Sequence, residues 1–245
     1  MPQNIYDNPV FFEGYKALRQ NDTGLNGAVE IPALQGLLPA QAGLRVLDLG
    51  CGFGDFARYV RSQGAMAVTG VDVSLNMLEE ARRLTVDAAI RYHHGAIEDF
   101  QPDQGETFDL VVSSLALHYV ADYAAAVQAV WRALRPGGLF VFSVEHPVCT
   151  ANPVGWVKDE HEGKAHWPLD HYQAEGRRDT RWFVDGVIKY HRTTQTWINT
   201  LLERGFALER MLEPGPVPHA LTLRPALADE NRRPPFLLLR ARRSG

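Results

Sequence analysis

Residues Arg45-Val46-Leu47-Asp48-Leu49-Gly50-Cys51-Gly52-Phe53-Gly54-Asp55 form an apolar strand that runs straight into a loop with glycine at alternate positions. Gly50, Gly52 and Gly54 carry no side chain to fill the space above the strand end, so a ligand can approach the backbone closely. A helix over residues 54–62 then aims its free N–H groups and positive end at the same place, and an anionic group is expected there. The junction marks a nucleotide-like cofactor pocket. A dinucleotide fingerprint needs G-x-G-x-x-G, but position 55 is Asp and the spacing is G-x-G-x-G. A second strand over 66–72 ends in Asp72, whose carboxylate suits two hydrogen bonds from a ribose diol. That pairing fits adenosine.

Five blocks follow in order between residues 45 and 147: VLDLGCGFGD, GVDVS, HHGAIEDF, FDLVVSSLALHYV and LRPGGLFVFSVEHP. Through them the chain resembles the class I S-adenosylmethionine-dependent methyltransferases, in the bacterial small-molecule type. The resemblance implies a doubly wound, Rossmann-like α/β fold with a seven-stranded, mostly parallel sheet whose last strand is antiparallel. It also implies S-adenosylmethionine as cofactor, leaving as S-adenosylhomocysteine. Gly50, Cys51 and Gly52 would line its methionine and ribose part, Asp72 would take the ribose hydroxyls, and Val73 would flank the adenine. The family often has Asp or Asn where this chain has Ala96, so the backbone of Ile97 is left to meet the adenine, with Glu98 or Asp99 compensating. The carbonyl of Ser114 matches the position that holds the cofactor's amino group. Asp48 reads as a buried acid bracing the loop through backbone N–H groups. Taken alone, Asp72 would equally suit a helix N-terminus, where an acid is favoured by the dipole.

The 245 residues suit one domain with an added cap. Its expected parts are an N-terminal helical lid (1–42), a cofactor-binding core (43–147), a cap insertion (148–190) and the C-terminal part of the sheet (191–245). Charged residues at 22% and hydrophobic ones at 45% place the chain among globular proteins rather than disordered ones. The formal charge of −4 offers no field to recruit nucleic acid or an anionic membrane. Two cysteines, Cys51 and Cys149, make no disulfide framework, and no run of about 18 apolar residues occurs. A reduced, cytoplasmic protein is expected, as monomer or homodimer, with no membrane and no nucleic-acid partner.

Hydrophobic periodicity predicts helices over 10–19 and 28–38, then strands near 45–49, 67–72, 90–93, 108–113 and 138–145. Helices near 54–63, 75–84 and 121–134 fall between most of them, with Ser74 as an N-cap. Regularity ends after Glu145-His146-Pro147, where prolines, glycines and charges interleave with Trp156, Trp167, Tyr172, Trp182 and Tyr190. A helix over 194–204, a strand over 206–212, a polar Pro-rich connection and a strand over 236–239 close the chain.

A sulfonium cofactor already carries an activated methyl, so the protein's main task is in-line placement of the acceptor. If that acceptor is a hydroxyl, a histidine base helps remove its proton. His118, after strand four, is the first choice, His146 after strand five the second, and His191 would join them at one pocket. Tyr15, Tyr119, Trp156, Trp182 and His191 are expected around the acceptor, which reads as a small aromatic or heterocyclic molecule methylated on oxygen or nitrogen. The series His161, His166 and His171 matches no metal-ligand spacing, and no metal is expected. Two other classes remain open: a methyltransferase acting on RNA or protein, and a non-catalytic regulatory protein that binds the cofactor.

Overall fold

The computed structural model describes residues 3–21, 24–152, 154–159 and 163–245. A 3₁₀ turn at Ile5–Asp7 leads into α1 (Pro9–Asn21), then a π-helical turn at Asn26–Glu30 runs into α2 (Ile31–Leu37). Strands and helices next alternate as β1 (Arg45–Leu49), α3 (Asp55–Ser62), β2 (Ala67–Asp72), α4 (Leu75–Leu84), β3 (Ile90–His94), β4 (Phe108–Ser114), α5 (Tyr123–Ala133) and β5 (Leu134–Glu145). The single turn α6 (Pro147–Thr150) opens an insertion of two hairpins. These are β6 (Val157–Asp159) with β7 (Gly163–His166), and β8 (Gly176–Trp182) with β9 (Val184–His191). The chain ends with α7 (Thr194–Glu203), β10 (Phe206–Leu212), α8 (Pro218–Leu223), a 3₁₀ helix at Pro225–Arg232 and β11 (Phe236–Arg243).

The seven-stranded sheet runs β10-β11-β5-β4-β1-β2-β3. β1 is parallel to β2 and β4, β2 to β3, and β4 to β5, whereas β11 is antiparallel to both β5 and β10. The chain winds outward from β1 to β3 and then returns to lay β4 on the other side of β1. A crevice therefore opens past the carboxyl ends of β1 and β4, where open α/β sheets bind ligands.

Alternation along each strand sends side chains to opposite faces. Leu47, Leu49, Phe140, Phe142, Leu237 and Leu239 bury against α5 and α7, chiefly Val127, Val130, Trp197 and Leu201. Their strand neighbours Val46, Val68, Leu110, Val112, Val141 and Leu238 bury against Leu34, Leu37, Ala57 and Val60 of α2 and α3. Two apolar layers thus clamp the sheet and hold the crevice rigid. Ser74 Oγ accepts from the N–H of Met77 at 3.1 Å, and Asp122 Oδ1 from Ala125 at 2.9 Å, which caps α4 and α5. α3 follows a left-handed Gly54 and has no side-chain cap, leaving its N-terminus turned to the crevice.

Three segments depart from the sequence expectation. The cap, read as irregular, holds two hairpins, because a strand such as Gly176–Trp182 is mostly charged and shows no apolar period. The Pro-rich connection holds α8 and a 3₁₀ helix, since Pro218 and Pro225 stand at first-turn positions where a missing N–H costs nothing. β5 begins at Leu134 rather than 138, passing Pro136 and Gly137 through a bulge between the pairs Phe108–Leu134 and Leu110–Leu139.

Candidate active site

The loop after β1 is tied down by the amides of residues 50, 51, 52 and 54. Val71 O accepts from Gly50 N at 2.8 Å and Cys51 N at 3.0 Å, and Gly54 N donates to Cys51 O at 2.9 Å. Gly50 has φ +77°, and a Cβ there would lie 2.3 Å from the Cβ of Ala116, so the loops after β1 and β4 touch only because this residue is glycine. At Gly52, φ +51°, a Cβ would meet nothing within 4 Å. The backbone is bare toward the cavity that Gly52 lines.

Five acidic residues line this cavity, Asp48, Asp55, Asp72, Glu98 and Glu145, and two of them stand at the ends of β1 and β2. Asp72 is 8% exposed; its Oδ2 accepts from Gly52 N at 2.8 Å and its Oδ1 from Ser74 N at 2.9 Å. Burial raises its pKa, and those backbone donors pull it partly back. Each oxygen keeps a lone pair for a further donor. Asp48, on β1, is 1% exposed, and its Oδ2 meets no hydrogen-bond partner among the described residues. Burial foremost, then the charges of Asp72 and Asp55, push its carboxyl up to about 8.

Leu115 stands at φ +50°, an uncommon backbone for a branched side chain. Ser143 holds it there, taking the Leu115 N–H on its carbonyl at 3.1 Å and on Oγ at 3.0 Å. Ser143 Oγ donates in turn to Glu30 Oε1 at 2.6 Å, as does Ser114 Oγ at 2.8 Å. Glu30, fully buried in the π-helical turn, therefore fixes the ends of β4 and β5. Burial raises its pKa, and the two serines oppose the rise.

Aromatic rings and the N-terminal arm close the far side. Tyr6 packs edge-on to Tyr15 at 5.3 Å and to Tyr119 at 6.1 Å, and Tyr15 to Trp182 at 5.9 Å. Gln3 ties the arm to the β8–β9 hairpin, donating to Gly186 O at 2.7 Å and accepting from Ile188 N at 2.8 Å. Asp7 ties it to the start of α4 by accepting from Ser74 Oγ at 2.6 Å and Asn76 N at 3.2 Å. The arm thus bridges cap and core over the cavity.

His118 and Glu145 are among the polar groups that line the same cavity. His118 is 2% exposed, and burial foremost drives its pKa down to about 4. Its Nδ1 accepts from Glu145 N at 3.3 Å, so the neutral ring carries its proton on Nε2. Glu145 Oε1 pairs with Lys189 Nζ at 2.5 Å; burial works to raise Glu145, but Lys189 and then His118 hold it below the usual range. Lys189 also lies over the rings of Trp182 at 5.5 Å and Tyr119 at 5.8 Å.

Gly50, Cys51, Gly52, Asp72, Val73, Ala96, Ile97, Ser114, Tyr15, Tyr119, Trp182 and His118 all line this one cavity. The three imidazoles do not converge on it. His146 accepts from Val148 N through Nδ1 at 3.1 Å and meets Glu213 through Nε2 at 2.7 Å, capping α6. His191 is fully buried between Thr150 Oγ1 at 2.8 Å and Tyr172 O at 2.9 Å. Trp156 packs on Trp167 at 5.3 Å, away from the chamber. His166 lies on β7, and His161 lies outside the described residues. Sequence reasoning passed over Glu30 and Lys189, which no local pattern marks. Glu145 had one usable signal, its place at the carboxyl end of a central strand.

The orphaned oxygen of Asp48, the spare lone pairs of Asp72 and the open space over Gly52 fit an adenosyl ligand bearing positive charge. A family model described as a methyltransferase domain matches residues 47–142. An S-adenosylmethionine-dependent methyltransferase of known structure from Mesorhizobium loti is 48% identical, with TM-score 0.82, covering 90% of this chain and 100% of that one. The malonyl-[acyl-carrier protein] O-methyltransferase of Enterobacter lignolyticus is 45% identical over 45% of this chain and 43% of its own length. A ubiquinone biosynthesis O-methyltransferase from Aromatoleum aromaticum is 38% identical over 42% of this chain and 44% of its own.

Proposed function

As the chain belongs to the class I S-adenosylmethionine-dependent methyltransferases, we propose that it moves the cofactor's methyl group to an oxygen of a small acceptor held beneath the arm and the β8–β9 hairpin. The observation that carries this reading is the closure of the chamber. Tyr6, Tyr15, Tyr119 and Trp182 wall it, and Gln3 fastens arm to hairpin, which suits a small molecule better than a folded protein or a nucleic acid. Oxygen is favoured because the two relatives named above that match over the core are O-methyltransferases, each matched over less than half of its length.

Asp72 would hold the ribose hydroxyls, and Asp48 with the Ser114 carbonyl would face the cationic end of the cofactor. When bound, that cofactor supplies a methyl activated by its sulfonium. The aromatic walls exclude water and fix the acceptor in line, which is where most of the rate enhancement arises. His118 acts as a hydrogen-bond donor through Nε2 rather than as a base, because its lone pair is occupied and its ring is neutral throughout the physiological range. It orients the acceptor oxygen and leaves the proton transfer to others, or removes the need for one where the acceptor is already an anion.

Incubation with methyl-labelled cofactor and a panel of phenols, carboxylic acids and amines should yield methylated small molecules. Asp72→Ala should abolish that turnover and weaken S-adenosylhomocysteine binding at least tenfold, since it also strips Gly52 N of its acceptor. Label appearing only in RNA or protein, or a variant that binds as the parent does, overturns the reading.

A further inference from the structure

A second cavity lies on the other side of Glu145. Its walls include Arg178, Arg181, Lys189, Arg233 and Trp167 as well as Glu145 itself. Four cations meet one carboxylate there. The Glu145 charge is already matched by Lys189 at 2.5 Å. Arg178 is pinned by the carbonyls of Ala151, Arg177 and Ala174, and no carboxylate pairs with it among the described residues. Its charge is fixed in place and, among the described residues, has no carboxylate to compensate it.

Arg233 is the more telling residue. Its guanidinium stacks on Trp167 at 4.2 Å and reaches Trp156 at 5.7 Å, with its side chain 12% exposed. Nη2 lies 2.9 Å from Glu230 Oε2, but Nε and Nη1 are buried and have no acceptor among the described residues. Buried donors of an ionised group are rarely left unmet in a working protein. These wait for an acceptor that the described residues do not supply.

We propose that this second cavity is an anion subsite for a carboxylate borne by the methyl acceptor, an assignment that rests on the small-molecule reading above. A carboxylate suits it better than a phosphate. Glu145 lines the cavity and Glu230 flanks Arg233, so like-charge repulsion there weighs more on a dianion than on a monoanion. The position favours the acceptor over a separate effector. Glu145 lines both cavities, and Lys189 rests on Tyr119 and Trp182, two rings of the reaction chamber. Glu145 and its partner Lys189 thus stand at the boundary between the two cavities. An elongated acid can therefore set its reacting oxygen in the chamber and its carboxylate on Arg233 and Arg178.

The test is calorimetric, on the full chain saturated with S-adenosylhomocysteine. Benzoate, 4-hydroxybenzoate, 4-hydroxyphenylacetate and glutarate are titrated beside their methyl esters, with inorganic phosphate as competitor. At least one acid should bind tenfold or more tightly than its ester. Arg233→Met and Arg178→Gln should each erase that preference while S-adenosylhomocysteine affinity stays within about twofold. Acids and esters binding alike, or phosphate competing as well as any acid, overturns the assignment; if both variants fail to fold, the acid-to-ester ratio of the parent protein decides alone. Failure of the underlying reading looks different: acids bind selectively, yet no small molecule accepts a methyl. Transfer to neutral acceptors only, with no acid preference, removes the subsite and leaves the reaction standing.

Discussion

Asp48 and Asp72 lie in one cavity and are both buried, but they differ in what reaches them. Asp72 receives two backbone N–H groups, while Asp48 Oδ2 receives none among the described residues. With its carboxyl near 8, Asp48 is mostly protonated at pH 7. A cationic ligand arriving beside it favours the ionised form, so binding should release a proton. Titrating S-adenosylmethionine at pH 7 in two buffers of different ionisation enthalpy should show up to one proton leaving, and Asp48→Asn should remove the buffer dependence. Equal heats in both buffers for the parent protein would refute the coupling.

α1 and the tip of the β8–β9 hairpin fit closely together. Phe183 turns the hairpin at φ +57°, stacks on Trp182 at 5.0 Å and meets Phe11 edge-on at 5.5 Å. Gly14 makes room for it: a Cβ there would lie 2.7 Å from the Phe183 ring. Leucine is the better helix former, so Gly14→Leu strengthens α1 itself by up to about 1 kcal/mol. It should nonetheless lever the hairpin away, at an overpacking cost of about 1–3 kcal/mol. Acceptor KM should rise roughly tenfold with cofactor affinity little changed, and proteolysis within the cap should quicken. Unaltered KM and protease resistance would mean that the seat has no part in closing the chamber.

Across the whole molecule, burial of charge sets opposing pH trends. Asp48, Asp72 and Glu30 have raised pKa values, so the stability they contribute is complete below their unfolded values near pH 4 and is lost as pH climbs, for Asp48 through about 8. His118, His146 and His191 have lowered ones, so theirs is complete above about 6.5 and is lost on acidification, for His118 through about 4. The unliganded protein should melt highest near pH 6 (roughly, from these crossings). Asp48→Asn should raise the melting temperature by several degrees at pH 8 and by less at pH 5. A gain that is the same at both values would show that Asp48 ionises normally.

The doubly wound sheet, the glycine loop and Asp72 were legible in the chain because their causes are local. Positive φ demands glycine at residues 50 and 52, and apolar residues repeat with the period of each element. No described helix is long and apolar enough to cross a membrane. What the sequence withheld was which polar groups share a space. His118, His146 and His191 each follow or end a strand, yet only packing puts the first in the chamber and locks the others into hydrogen bonds elsewhere. Glu145 and Lys189 meet across 44 positions, and Arg178 and Arg233 meet in a cavity that no motif announces. The hairpin that brings Arg178 and Lys189 there pairs through backbone N–H and C=O groups, which every residue but proline carries in full. Periodicity records what a strand buries against the core, and these strands bury little, so their partners were decided only when the chain folded.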